Sequence, residues 1–206
     1  RQIERRLFRG GLDQAGVRDI VINLHYLPDV LKSHLEGISR PNIIFSEEDE
    51  LLETGGGLKK ALHHFGNDPY YIINGDALWD ESGETSALHR LAEFWNPAVM
   101  DILLLLEPKD KMILTAFVGD YDIAPDGKAI RSKDKSGQFM FAGVRIAHPR
   151  IFEQSPDGAF SFLELMDKAQ DQGRLYALPH VAEWYHISTP EDLAAVDSAF
   201  RKQEKQ

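Results

Sequence analysis

The sequence predicts an α/β domain on a doubly wound, mostly parallel sheet. Short strand-like apolar runs alternate with helical stretches, the pattern of βαβ units. Ile102 to Leu106 is apolar throughout, the pattern of a strand covered on both faces. The chain has 206 residues, which fits a single domain spanning 1–206.

Each element has a local reason. Ile3, Leu7 and Leu12 share one helical face, and Gly16 is placed to end that helix. Asp19 to Asn23 reads as a short buried strand. Pro28 opens a helix to about Leu35, since proline is tolerated in a first turn. Asn42 to Ser46 is a strand, Leu58 to Phe65 a helix, Tyr70 to Asn74 a strand and Ser86 to Phe94 a helix. Met100 to Leu106 follows as the central strand. Val118 to Ile123 and Gly127 to Ser132 are strand pieces broken by turns at Gly119-Asp120 and Pro125-Asp126-Gly127. Phe139 to Ile146 is a strand, Phe160 to Ala169 a helix starting near Ser161, and Leu175 to Leu178 and Trp184 to Ile187 are short strands. Thr189 caps a terminal helix from Pro190 to Phe200, with Glu191 and Asp192 at the positive end of its dipole.

Composition excludes several classes. Hydrophobic residues are 43% and charged residues 27%, ordinary for a globular protein. A net charge of −10 gives no electrostatic footprint for nucleic acid or an anionic membrane. No apolar run approaches the ~20 residues of a membrane span. Without cysteine there is neither a disulfide framework nor a thiolate metal site, which fits a reducing compartment.

In a sheet of this kind ligands bind beyond the carboxyl ends of the strands. Glu53-Thr54-Gly55-Gly56-Gly57 lies there and leads into a helix. Each glycine costs about 0.5–1 kcal/mol of ordering relative to alanine. Close approach of free N–H groups to an anion or a base edge offsets that cost; a loose connector is the other explanation. No Lys-Ser or Lys-Thr follows in the pattern of a P-loop. Asn74-Gly75-Asp76 puts a carboxylate at the end of an apolar strand, well placed to take a divalent cation; taken alone, the pattern reads first as an exposed Asn-Gly turn. Gly119-Asp120 and His186 are weaker signals of the same kind. His63, His64, His89 and Lys59-Lys60 read as surface residues. No nucleophile elbow or His-Glu-x-x-His motif is present.

Taken in order, the motifs say more. Leu51 to Leu62, Asn74-Gly75-Asp76, Gly119-Asp120-Tyr121, Phe141-Ala142-Gly143-Val144 and Trp184 to Leu193 together resemble the sugar-1-phosphate nucleotidyltransferase family. Ala15 to Leu27 is similar to that family's second βα unit. The nearest branch is that of the bacterial N-acetylmuramate-1-phosphate uridylyltransferases and mannose-1-phosphate guanylyltransferase-like proteins. The resemblance implies a three-layer, Rossmann-like fold of the nucleotide-diphospho-sugar transferase type. It implies Mg²⁺-dependent condensation of a nucleoside triphosphate with a sugar-1-phosphate, for example UTP with N-acetylmuramate 1-phosphate. That chemistry belongs to cytoplasmic nucleotide-sugar biosynthesis for the cell wall, by a monomer or homodimer.

Residue by residue, the resemblance makes Asp76 the catalytic metal ligand. His186 stands where many members place a second metal-binding Asp. Glu53, Thr54, Gly55, Gly56 and Gly57 would line the nucleotide site, and Asn74, Asp120 and Gly143 the sugar site. The family's Gly-x-Gly-Thr-Arg-Met loop is not among these residues and is expected upstream of Arg1, on a first strand. Lys109 to Phe117 is shorter than the family's sugar-site loop. A non-catalytic nucleotide-sugar-binding relative is the alternative. A metal-dependent glycosyltransferase is a weaker one, because Ala77-Leu78 follows Asp76 in place of an Asp-x-Asp pattern.

Overall fold

The computed structural model describes residues 12, 15–79, 85–112, 118–182, 184–187 and 189–203. The expected helix over Ile3 and Leu7 lies outside them. At its end, Gly16 takes φ +72°, and the Val17 N–H donates to the Leu12 carbonyl across it at 3.0 Å.

Along the chain the strands are β1 (Asp19–Leu24), β2 (Asn42–Glu47), β3 (Tyr70–Ile73), β4 (Ala77–Trp79), β5 (Ile102–Pro108), β6 (Tyr121–Ile123), β7 (Ala129–Arg131), β8 (Phe139–Ala147), β9 (Leu175–Pro179) and β10 (Trp184–His186). The helices are α1 (Pro28–Leu35), α2 (Glu53–Ala61), α3 (Ala87–Phe94), α4 (Phe162–Asp171) and α5 (Pro190–Gln203).

β5 is the centre because its sequence leaves it no polar face. Ile102 through Leu106 are 0% exposed. Ile102, Leu104 and Leu106 join one hydrophobic cluster, with Phe160, Phe162 and Leu165. Leu103 and Leu105 join the other, with Leu88, Leu91 and Trp184. Fully burying one such side chain contributes about 1.5–3 kcal/mol, so this strand anchors both layers.

The α/β expectation holds, and the strand directions refine it. β3, β5, β6 and β9 run one way; β8 and β7 run the other. β1–β2 and β5–β9 are parallel pairs. β8, inserted between β3 and β5, is antiparallel to both. Its apolar sequence marks a buried strand but carries no direction, so the mixed pairing was not legible. β4 was also missed: three residues after a turn show no periodicity.

One edge of β8 is divided. Val144 to Ala147 pair with β3, and Phe139 pairs with β6, so the edge is open between them. On the other edge the register with β5 slips: Leu104 faces Arg145, and Leu106 faces Phe141. Gly143, at φ +75°, lies inside that irregularity. Such a bulge bends a strand and re-aims its neighbours.

Thr189 caps α5 as expected. Its Oγ1 accepts from the Asp192 N–H at 3.1 Å, and Asp192 Oδ2 accepts from the Thr189 N–H at 2.9 Å. Ser161 likewise caps α4 through the Leu163 N–H at 3.3 Å.

Candidate active site

The break in the β8 edge is where half of the expected site residues meet: Asn74, Asp76, Asp120, Gly143 and His186. The Asn74 N–H donates to the Gly143 carbonyl at 2.8 Å, continuing the ladder one step past β3. A Cβ on Gly143 would lie 3.0 Å from the Ala77 Cβ and 3.1 Å from the Asn74 Cβ. The bulge therefore seats the turn that carries Asp76. The Ala77 N–H closes that turn on the Asn74 carbonyl at 3.2 Å. Asp76 is exposed, and no described residue hydrogen-bonds its carboxylate.

β4 then pairs antiparallel with β10, setting Ala77 opposite His186. The Ile187 N–H donates to the Asp76 carbonyl at 3.3 Å. The backbones of Asp76 and His186, more than a hundred positions apart in sequence, are thus neighbours. The buried Trp184 locks β10 in place, its Nε1–H donating to the Ala142 carbonyl at 3.1 Å.

Asp120 reaches the same break from the position just before β6. Its Oδ2 accepts the Phe141 N–H at 3.2 Å, two residues before Gly143. Its Oδ1 pairs with Lys135 Nζ at 2.5 Å, and its side chain is only 19% exposed. Lys135 was not among the expected residues. Its Ser-Lys-Asp-Lys-Ser setting reads as a solvated turn, so the sequence offered no signal.

The glycine segment behaves differently from expectation. Gly55, Gly56 and Gly57 are buried inside the first turns of α2, which begins at Glu53 and not at Leu58. The Gly55 and Gly56 N–H groups donate to the Phe160 carbonyl at 2.8 and 3.2 Å. A Cβ on Gly56 would overlap the Gly158 carbonyl oxygen, and one on Gly55 would overlap the Phe160 ring. Thr54 Oγ1 accepts the Phe162 N–H at 3.0 Å. The close approach that demands glycine is therefore to residues 158–160. Two of the N–H groups expected to face a ligand are already used.

On its other side α2 meets a polar cluster at the ends of β1 and β2. Asn23 Nδ2 donates to Glu48 Oε1 at 3.0 Å and to the Gly57 carbonyl at 2.9 Å. Glu48 Oε2 accepts the Leu52 N–H at 3.1 Å. A Cβ on Gly57 would lie 2.5 Å from Glu48 Oε1. Glu53 is exposed with φ +56°, a sparsely populated conformation for a non-glycine residue. Both Asn23 and Glu48 stand at strand ends; Asn23 lies in the Ala15–Leu27 unit, and Glu48 lies in none of the quoted motifs.

Beneath the break, Arg145 of β8 is 3% exposed. Its guanidinium lies 4.1 Å from the Phe162 ring centroid and 5.2 Å from that of Phe141. Burial pushes its pKa down to about 10, with Tyr70 and Tyr121 opposing, so it remains a cation at neutral pH. Burial likewise raises the Tyr70 and Tyr121 phenols.

Among the described residues no three His, Asp or Glu side chains are grouped to hold a metal. An exposed carboxylate with no hydrogen-bond partner among the described residues, Asp76 fits an ion that takes one or two protein ligands and completes its shell with phosphates and water. Among the described residues no helix is long and apolar enough to cross a membrane.

No family model matches the chain. It is 31% identical over 191 residues to the N-acetylmuramate α-1-phosphate uridylyltransferase of Caulobacter vibrioides, covering 89% of this chain and 78% of that protein. It is 28% identical over 190 residues to the D-glycero-α-D-manno-heptose 1-phosphate guanylyltransferase of Aneurinibacillus thermoaerophilus, covering 88% and 77%. In fold it matches HddC from Yersinia pseudotuberculosis, solved with GMP-PN, at a TM-score of 0.76 and 24% identity over 94% of this chain and 84% of that one. It also matches a UDP-glucose pyrophosphorylase solved with UDP-glucose, at 0.74 and 14% identity over 94% and 84%. With the Caulobacter relative aligned across most of both sequences, the chain belongs to the sugar-1-phosphate nucleotidyltransferase family.

Proposed function

We propose that this chain joins a nucleoside triphosphate to a sugar-1-phosphate, releasing pyrophosphate, and that its substrates are UTP and N-acetylmuramate 1-phosphate. One observation carries the site: Asn74, Asp76, Gly143 and the backbone of His186 converge at the break in β8. The choice of sugar and base is supported by the 31% identity to the Caulobacter uridylyltransferase.

In this reaction an oxygen of the sugar phosphate attacks the α-phosphorus in line. The P–O bond to pyrophosphate breaks, and pyrophosphate carries away the electron pair. The protein has little covalent work to do; it positions two anions and offsets their repulsion. Asp76 would hold Mg²⁺, with His186 as its second protein ligand, and the ion would supply charge neutralisation on the phosphates. Asn74 and Gly143 would line the sugar side, next to Asp120. Glu53 and Thr54, at the start of α2, would face the nucleotide. Gly55, Gly56 and Gly57 would act by letting α2 dock closely, so that its start is held in place. The reaction belongs in the cytoplasm, where nucleoside triphosphates are available.

The test is pyrophosphate release by the full-length protein with Mg²⁺, across the four nucleoside triphosphates and several sugar-1-phosphates. The expected fastest combination is UTP with N-acetylmuramate 1-phosphate. A faster rate with GTP and mannose 1-phosphate overturns the substrate assignment. Silence throughout, with UDP-sugar binding retained in calorimetry, identifies a non-catalytic binding relative instead.

A further inference from the structure

Among the described residues, Arg145 Nε and the hydroxyls of Tyr70 and Tyr121 are buried without a hydrogen-bond partner. They come from β8, β3 and β6, the strands that frame the break. All are closed off from solvent: Tyr121 is 2% exposed, Arg145 3% and Tyr70 7%. Buried polar groups are nearly always satisfied, so orphans gathered in one part of a core call for a ligand.

The three groups share one face of the sheet. Arg145 stands opposite Ile72 in the β3–β8 ladder, two positions from Tyr70. Its side chain leans along β8 toward the break, so that the guanidinium reaches the ring of Phe141 as well as that of Phe162. Tyr70, Tyr121 and Phe162 belong to one hydrophobic cluster, with Phe141 packed against it. Burial raises both phenols and the guanidinium opposes that rise, which sets the cation near each of them.

The chemistry of the set is one-sided. An arginine N–H can only donate, and a phenol O–H donates as readily as it accepts. Among the described residues no carboxylate pairs with Arg145. Asp120 and Asp167, which act on Tyr121, are paired with Lys135 and Arg131. The aromatic faces offset part of the cation's desolvation but give Nε no acceptor. A buried charge without a partner strongly destabilises a core. No hydrogen bond joins the three groups to one another. What fits is an acceptor standing among them, negative so as to balance the arginine, and small because the site is closed.

We propose that Arg145, Tyr70 and Tyr121 bind one small inorganic anion, of the size of chloride, in the core beneath the break. The ion balances the guanidinium and ties β3, β6 and β8 together where the sheet edge divides. It is sealed from the substrates, so the proposal stands apart from the nucleotidyltransferase reading.

The experiment melts the full-length protein in sodium chloride and in sodium gluconate at matched ionic strength, since gluconate is too large to enter. The expected result is a Tm that gains on the gluconate series by roughly 3–5 °C for each tenfold rise in chloride above its Kd. Arg145→Met abolishes that gain. Tyr121→Phe, which keeps the ring and removes one donor, moves the gain to higher chloride. Wild-type crystals grown in sodium bromide show an anomalous peak bonded to Arg145 Nε and both hydroxyls, a reading that holds even where Arg145→Met fails to fold. Equal responses to the two salts in wild type overturn the proposal. So does a chloride response that survives unchanged in both variants. A water in that place without anomalous signal overturns it as well, since it would satisfy the hydrogen bonds and leave the charge unbalanced.

Discussion

Two glycine sites in this molecule look alike in sequence and differ in physical cause. Gly55 to Gly57 are buried in a helix, and two of them are needed because a side chain would collide with residues 158–160. Gly143 is needed because its backbone is left-handed, and because Asn74 and Ala77 press against it. The first site docks a helix; the second bends a strand so that Asp76 is presented at a break in the sheet. A run of three glycines draws the eye as a phosphate loop. The lone glycine in a strand has the closer geometric tie to the candidate chemistry.

The comparison is sharpened most by Asp76→Asn. Asp76 is exposed and its carboxylate supports no described contact, so stability should change by no more than about 0.5 kcal/mol. Pyrophosphate release should fall roughly 10³-fold, the scale of several kcal/mol of lost charge stabilisation. Assay and thermal melt together check this; a variant that turns over at the wild-type rate removes Asp76 from the chemistry.

Gly56→Ala tests the docking half. Overlap with the Gly158 carbonyl should cost about 1–3 kcal/mol, since the obstacle is backbone and cannot swing away. Urea unfolding should show it as a lowered midpoint. If stability is instead intact and only the KM for nucleotide rises, Gly56 faces a ligand after all and the contrast with Gly143 collapses. Gly143→Ala tests the other half. Forcing alanine to φ +75° costs about 1–2 kcal/mol. The displaced Asn74 turn should lower kcat/KM about tenfold, measurable in the pyrophosphate assay even where the melt moves little.

The legible parts were those decided locally. β5 is apolar on both faces and could only be central. Thr189 and Ser161 cap helices through contacts within three residues. Asn74 and Asp76 stand just past an apolar strand, where ligands of such sheets bind, while Gly143 was named only through the family resemblance. What escaped was decided by distant partners. α2 starts at Glu53 because Phe160 supplies the acceptor for its first N–H groups, more than a hundred positions away. β8 reads as a strand whichever way it runs. Lys135 reads as solvent-facing until the turn is seen folded back onto Asp120.

The smallest effect concerns what holds that turn. Hydrogen bonds from Ser132 and Ser136 pull the Asp134 carboxyl down to about 2. A carboxyl depressed in the folded state stabilises that state above its ordinary range, and the stabilisation is lost as pH falls toward 2. Ser132→Ala removes the first of those bonds, and Asp134 should then titrate closer to the ordinary carboxylate range, read by carbon NMR of its carboxyl. Because Asp134 is fully exposed, the melt should hardly move.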